Sequence, residues 1–164
     1  MSVTIHSAQI VGLDAKIISV EMDITPGLHI FTIVGLADKE VQESRERITA
    51  AIQNLGALAP HKKSQRVIVN LAPADIKKEG PAFDLPIALG FLLASGQVAF
   101  DPKHTVFLGE LGLDGGARKV SGILAATLAA RDAGFKTIVL PKGNGPEASL
   151  VHDIAIYEVS SLAE

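Results

Sequence analysis

The sequence predicts one α/β domain with a mixed sheet and packed helices, and three observations support this fold class. The chain has 164 residues, the usual size of a single domain, and 48% of them are apolar, which is ample for one core. The apolar residues are chiefly Ala, Val, Ile and Leu, the mixture that fills the layers between a sheet and its helices. Strand-like segments alternate with helical patterns, without a repeat or a linker. We therefore expect one domain over residues 1–164.

The first predicted elements form a β-hairpin followed by a third strand. Residues 3–11 and 15–24 are rich in β-branched residues and are separated by Gly12-Leu13-Asp14, a short turn. Residues 30–35 supply the third strand after a Pro-Gly turn. The same criteria predict further strands at 66–71, 105–113, 137–140 and 154–159.

Helical spacing of apolar residues predicts an amphipathic helix over residues 38–55. Asp38 is placed to cap its start and Gly56 to end it. On its outer face, Glu43 is four residues from both Lys39 and Arg47, a spacing that suits ion pairs on an exposed helix. Further helices are predicted at 83–94, which is apolar nearly all round, at 121–133 and, as a single turn, at 147–151.

Charge and composition restrict the possible functions. The formal charge is −3 and the pI is about 5.9, so the chain has no overall basic field and any contact with DNA must be a local patch. Cysteine is absent, which excludes disulfides and thiolate metal sites. No apolar run approaches the roughly 18 residues of a membrane span, and the amino terminus lacks a signal pattern. We expect a soluble cytoplasmic protein without a membrane partner.

Residues 70–86 are the most informative segment, because they predict a strand, a Gly-Pro turn and the start of a buried helix. Gly80 permits a tight junction and Pro81 stiffens it. Asp84 lies in the first helical turn, where a carboxylate interacts favourably with the helix dipole. We assign structural roles to Gly80, Pro81 and Asp84.

Several segments in fixed order resemble one family. They include Phe31-Thr-Ile-Val-Gly-Leu36, Val69-Asn-Leu-Ala-Pro-Ala-Asp75 and Lys77-Lys-Glu-Gly-Pro-Ala-Phe-Asp-Leu-Pro-Ile-Ala-Leu89. Together with residues 43–47 and 107–111, they resemble the amino-terminal domain of the ComM/YifB group of magnesium-chelatase-like AAA+ proteins. The resemblance covers nearly the whole chain and implies a Lon-protease-like α/β fold.

The resemblance also implies a function, because members of this family are similar to hexameric ATP-driven motors of DNA branch migration in natural transformation and recombination. ATP and Mg²⁺ would belong to an AAA+ module expected beyond Glu164. The chain itself contains no Gly-x-x-x-x-Gly-Lys-Ser/Thr phosphate loop, so we expect it to hold no cofactor. The expected partners are that module, further copies in a hexamer, and double-stranded or branched DNA.

The Lon peptidase family uses a serine and a lysine, and both are replaced here. The resemblance places the serine at Ala82 and the lysine near Leu124. A methyl group cannot attack a carbonyl, so we expect a non-catalytic domain. One alternative is a cryptic hydrolase that uses Ser95 or Ser121 as nucleophile with a nearby lysine as base, the candidates being Lys77, Lys78 and Lys119.

We expect no metal site. The five histidines, His6, His29, His61, His104 and His152, show no close ligand spacing. Glu79 and Glu110 would form a paired-carboxylate site only if the fold brought them together.

Local basic clusters are the candidate DNA contacts: Lys62, Lys63, Arg66, Lys77, Lys78, Arg118 and Lys119. Residues able to stack on bases are scarce, since only 4% of the chain is aromatic, so duplex or branched DNA is favoured over single strands. A second alternative is a pure assembly module whose helix 38–55 contacts neighbouring subunits. Charge reversal at Arg45 and Arg47 would then alter oligomerisation.

Overall fold

The structure, a computed structural model, describes residues 2–164 and confirms the predicted α/β class with a mixed sheet. The strands of the described part are β1 (Ser2–Val11), β2 (Asp14–Pro26), β3 (Ile30–Val34), β4 (Gln65–Ala72), β5 (Thr105–Phe107), β6 (Glu110–Leu111), β7 (Ala117–Arg118), β8 (Thr137–Pro141) and β9 (Ala155–Val159). The helices are α1 (Lys39–Asn54), α2 (Asp84–Ala94), α3 (Ile123–Asp132) and α4 (Gly145–Ala148), with a 3-10 turn at Pro60–Lys62.

Seven strands form one sheet in the order β3-β4-β2-β1-β5-β8-β9. The predicted hairpin is confirmed, because residues 2–11 of β1 pair antiparallel with residues 14–23 of β2. β4 adds antiparallel to β2, whereas β3 joins β4 in parallel and the strands beyond β1 all run parallel to their neighbours. β6 and β7 form a separate small antiparallel ribbon.

Alternating side chains give the sheet a hydrophobic core on each face. On β2, Ile18, Val20 and Met22 belong to the core that contains α1 and α2. Ile17, which directly precedes Ile18, packs into the other core, which contains α3. This alternation follows from the period of two residues along a strand, and it explains why β2 carries apolar residues on both of its faces.

α1 begins and ends close to the predicted residues. The carboxylate of Asp38 accepts a hydrogen bond from the Val41 backbone N–H at 2.8 Å, so the predicted cap is confirmed. α3 begins later than predicted, because Gly122 has a left-handed φ of +77° and precedes the first helical residue. A Cβ at Gly122 would come within 2.5 Å of Ile10, so glycine is needed there for packing as well as for conformation.

The prediction of one strand over 105–113 was wrong in part. The chain leaves the large sheet after Phe107, and only Glu110–Leu111 returns to strand geometry, in the small ribbon. At the break, the Gly109 N–H donates to the Ala82 carbonyl, and the Gly109 carbonyl accepts from the Leu85 N–H, each at 3.0 Å. These bonds draw the chain under the start of α2, where a Cβ on Gly109 would approach the Leu85 side chain to 3.2 Å.

A buried carboxylate joins α1, α2 and β6. Asp84, the first residue of α2, is fully buried. Its Oδ2 accepts from Arg47 Nε at 2.7 Å and from the Leu111 backbone N–H at 3.0 Å. Its Oδ1 accepts from Arg47 Nη2 at 3.0 Å and from Ser44 Oγ at 2.5 Å. The structural role predicted for Asp84 thus extends well beyond the helix dipole.

Arg47 therefore belongs to the interior rather than to the exposed face predicted from its spacing. The hydrogen bonds that Arg47 donates to Asp84 raise the pKa of Arg47, outweighing the opposing effect of burial. The predicted pair with Glu43 is present at 3.9 Å, but the bidentate contact with Asp84 is much closer.

The α1 arginines also make the proposed charge-reversal test of assembly unsuitable. Arg45 Nη1 donates to the Phe31 carbonyl at 3.2 Å, and Gln42 Nε2 donates to the Ile33 carbonyl at 2.9 Å. Both carbonyls lie on β3, an edge strand, so α1 side chains cover part of this edge. Reversing the charge of Arg45 or Arg47 would disturb the fold itself.

Lys78 is fully buried, so its predicted contact with DNA is wrong. Its Nζ donates to the Gly35 carbonyl at 2.6 Å and also to the Pro73 carbonyl. Its backbone N–H donates to the Leu36 carbonyl, and its own carbonyl accepts from the Asp38 N–H. Lys78 thus connects the turn after β3 to the loop after β4, and both loops are held next to the Gly80 junction.

We predict that replacing Asp84 with Asn lowers the free energy of unfolding by about 3–5 kcal/mol, because Arg47 is left without its buried counter-charge. Urea unfolding followed by circular dichroism measures the change. Glu43→Gln is the matched control, since it removes an exposed partner of the same arginine and should cost only a few tenths of a kcal/mol. Equal effects of the two substitutions would contradict the assignment.

We also predict a pH-dependent stability that originates at Lys78. Burial lowers the pKa of Lys78 from its ordinary value of 10.5, so between the folded and the unfolded pKa the unfolded chain binds more protons. Stability relative to a Lys78→Met variant should therefore rise as the pH increases towards 10.5. Urea unfolding over a pH series tests this, with the exposed neighbour Lys77→Met as control. A pH-independent difference between wild type and Lys78→Met would contradict it.

Candidate functional site

The Gly-Pro junction lies at the wall of a cleft with a volume of about 730 Å³. Gly80 has a φ of +80°, which confirms the conformational reason for a glycine there. The Pro81 carbonyl accepts from the Asp84 N–H at 3.2 Å, so the chain turns directly into α2. The cleft also contains residues from β1, from the start of α1 and from the segment before α3.

Of the two positions that the resemblance to Lon peptidases assigns to a catalytic dyad, Ala82 and Leu124, the structure places only Ala82 in this cleft. Ala82 is half-buried, and its methyl group packs against the core that contains α3. Leu124 lies on α3 outside the cleft lining, and its backbone N–H donates to Glu147 Oε1 at 3.1 Å. The cleft therefore contains a methyl group at the position that the resemblance assigns to the nucleophile of Lon peptidases.

Two of the alternative catalytic candidates, Ser121 and Lys119, line the same cleft. No hydrogen bond joins them within residues 2–164, and the aliphatic part of Lys119 lies over Gly143, where a Cβ would approach Lys119 Cδ to 2.7 Å. Ser95 lies at the far end of α2 and donates to the Leu92 carbonyl. Lys78 is buried against backbone carbonyls and is not available as a base.

Acidic side chains predominate around the cleft. The fold brings Glu79 and Glu110 to its lining, together with Asp38 and Glu40, whereas the cations there are Lys39 and Lys119. Across residues 2–164, no group of three or more His, Asp or Glu side chains is arranged to hold a metal ion. This lining disfavours a phosphate backbone in the cleft.

Two of the five histidines line the same cavity. His6 and His104 line a separate cavity of about 260 Å³ beside Phe135. The His6 ring lies 5.0 Å from the Phe135 ring, and burial lowers the pKa of His6, which disfavours its protonated form.

The predicted DNA contacts divide into groups with different surroundings. Lys77 is exposed but lies 3.6 Å from Glu79, and the exposed Arg118 lies 3.8 Å from Glu110. Lys119 borders the acidic cleft. These cations are therefore partly neutralised by neighbouring carboxylates.

Lys62, Lys63 and Arg66, which we call the basic cluster, are in a different environment. All three are exposed, and within residues 2–164 none has a carboxylate within ion-pair distance. Lys62 ends the 3-10 turn and Arg66 lies on β4 opposite Ile30 of β3. The turn and the strand thus hold the three charges within five residues at one side of the sheet.

Sequence reasoning missed Gln9, which supports the cleft from β1. It is buried, its Oε1 accepts from the Glu79 N–H at 2.8 Å, and its Nε2 donates to the Ile10 carbonyl at 3.0 Å. A glutamine between the apolar residues Ala8 and Ile10 of a strand was the available signal, since a buried amide requires partners.

No helix among residues 2–164 has the length and apolar content needed to cross a membrane.

Comparison with known proteins identifies the family of the chain. The model for the family described as subunit ChlI of Mg-chelatase matches residues 20–144, more than half of the sequence. Competence protein ComM of Haemophilus influenzae is 40% identical over 161 residues, which cover 98% of this chain and 31% of that protein. The uncharacterized protein YifB of Escherichia coli is 40% identical over 149 residues, 90% of this chain and 29% of YifB.

Lon protease of Roseiflexus castenholzii is a more distant relative, 29% identical over 136 residues, which cover 80% of this chain and 17% of the protease. The chain spans less than a third of the length of the curated relatives it matches. These similarities agree with the mixed sheet and packed helices of a Lon-like α/β domain. The chain therefore belongs to the family of the Mg-chelatase subunit ChlI and is a relative of ComM and YifB.

Proposed function

We propose that this chain is the non-catalytic Lon-like domain of a ComM-type, ATP-dependent motor of DNA branch migration, which acts in the cytoplasm during natural transformation and recombination. In this proposal an AAA+ portion follows Glu164, binds ATP and Mg²⁺, and assembles as a hexamer. The Lon-like domain supports assembly and guides double-stranded or branched DNA. Family membership supports the proposal, as does the 40% identity to a competence protein over nearly the whole chain.

The observation that carries the DNA contact is the environment of the basic cluster. Lys62, Lys63 and Arg66 are exposed and have no carboxylate partner among the described residues, whereas the other candidate cations are buried, paired or beside the acidic cleft. Unpaired lysine and arginine side chains bind phosphates without reading sequence. In a hexamer the cluster would be repeated six-fold, which raises the avidity of a weak contact.

The absence of peptidase chemistry is a further part of the proposal. Ala82 provides no nucleophile, and no serine within residues 2–164 is hydrogen-bonded to a lysine. Loss of a nucleophile removes most of the rate enhancement of an acyl-transfer enzyme.

A pure assembly module without DNA contact is the second candidate function. Large apolar side chains are exposed near β3, including Leu28 and Leu36, and exposed apolar patches commonly mark contacts between proteins. This candidate predicts that the basic cluster is irrelevant to binding.

We predict that changing Lys62, Lys63 and Arg66 together to Ala in the intact protein weakens binding to duplex and four-way-junction DNA. Each phosphate contact that is lost should also reduce the salt slope by about one. Fluorescence anisotropy at about 50 and 200 mM salt measures both quantities.

The matched control is Ala at Lys77, Arg118 and Lys119, which removes the same number of cations near carboxylates and should have a smaller effect. Unchanged binding and branch migration in the basic-cluster variant would contradict the DNA contact and favour the assembly module.

We predict that a serine-reactive phosphonate does not label the folded chain, because neither Ser95 nor Ser121 has a lysine as base. Mass spectrometry of the treated protein tests this. Native-state labelling that disappears in Ser121→Ala but persists in Ser95→Ala would show a hydrolase in the cleft and overturn the non-catalytic assignment.

A further inference from the structure

An apolar groove of about 510 Å³ lies beside α2, at the end of the sheet formed by β8 and β9. Leu85 and Leu89 of α2 form one wall, and Tyr157 and Val159 of β9 contribute to the other. The carboxyl-terminal turn, with Leu162 and Glu164, closes one side.

We propose that this groove is the docking site for an apolar segment of the motor portion that continues the chain after Glu164. The inference rests on the proposed function, which places an ATPase portion after this residue. It adds the surface on which that portion is held against the Lon-like domain.

The surroundings of the groove favour an apolar occupant. Tyr157 is 60% exposed and Phe100 is 36% exposed, although both belong to an apolar lining. α2 packs over β1 and β2, and no further helix of the described chain lies on this face at β8 and β9. Covering these side chains would remove apolar surface from water, the main favourable term in docking of this kind.

Hydrogen bonds hold the carboxyl-terminal turn of the chain beside the groove. The Ala117 N–H donates to the Ser160 carbonyl at 2.9 Å, and the Leu162 N–H donates to the Gly115 carbonyl at 2.8 Å. The carboxylate of Glu164 accepts from the Ser160 N–H at 2.7 Å. The last turn is thus held against the β6–β7 ribbon, and Glu164 itself lines the groove. Residues that follow Glu164 would begin at this surface.

A comparison of this chain with ComM indicates which segment could occupy the groove. The match to ComM takes up 98% of this chain but only 31% of ComM, so most of such a protein lies outside the domain described here. An extended chain advances about 3.3 Å per residue, so a few residues after Glu164 suffice to place side chains along the groove. A docked first segment would also restrict the orientation of the motor portion relative to this domain, because only a few residues would connect the two.

Hydroxyl-radical footprinting with mass spectrometry tests the proposal by comparing residues 1–164 with the longer protein. Oxidation of Tyr157 and Phe100 should be several-fold lower in the longer protein. Leu13 and Leu150, which are 96% and 69% exposed and lie outside the groove lining, should be oxidised equally in both. Equal oxidation of Tyr157 in the two proteins would overturn the proposal.

A pair of variants separates docking from a change in folding. In the longer protein, Tyr157→Asp should raise the oxidation of Phe100 to the level seen in residues 1–164, whereas the matched Leu150→Asp should leave it low. If Leu150→Asp raises it equally, or if Tyr157→Asp leaves it low, the groove is not the docking site.

Self-association through the groove can be distinguished from docking of the motor portion by fluorescence quenching. Tyr157 is the single tyrosine of the chain and tryptophan is absent, so acrylamide quenching of tyrosine emission from residues 1–164 reports on this groove alone. Quenching that falls as the concentration of residues 1–164 rises would assign the groove to a second copy and overturn the proposal. DNA binding by the basic-cluster variant tests the proposed function independently of all these measurements.

Discussion

The ion pair between Asp84 and Arg47 is the interaction on which the arrangement around the cleft depends. One buried carboxylate receives four hydrogen bonds, from two side chains of α1 and from the backbone of β6. Because Asp84 is also the first residue of α2, the bond network sets the position of this helix relative to α1 and to the ribbon. A buried charge is tolerated only when it is fully paired, so these elements are constrained to meet at this point.

The same constraint accounts for a cleft whose architecture does not depend on a hydroxyl group at position 82. The Gly80-Pro81 turn, the paired Asp84 and the backbone bonds between Ala82 and Gly109 determine the start of α2. None of these contacts involves a hydroxyl at position 82. The local fold thus tolerates a methyl group there, and the acidic side chains around it disfavour the binding of a phosphate backbone.

Local signals predicted the elements well, and the failures have physical reasons. The cap at Asp38, the hairpin and the buried α2 follow from periodicity and turn chemistry, which sequence displays directly. Arg47 and Lys78 were interpreted from their neighbours in sequence, whereas Asp84, the partner of Arg47, lies 37 residues away and Gly35, one partner of Lys78, lies 43 residues away. The break at Gly109 depends on contacts with Ala82 and Leu85, which no local pattern reveals. A charged residue within an apolar segment was the one available warning, because Asp84 had to find a partner.

The basic cluster and the apolar groove lie at different parts of the sheet. This separation would allow the domain to contact DNA and to hold the motor portion at the same time. Arg66 lies on β4, five strand positions from β9 in the sheet order. Neighbouring strands are about 4.8 Å apart, so the basic cluster and the groove are about 24 Å from each other along the sheet. This distance exceeds the Debye length of about 8 Å at physiological salt, so charge at one site is largely screened at the other. A phosphate backbone at β4 and an apolar segment at β9 would therefore occupy the domain without competing for surface.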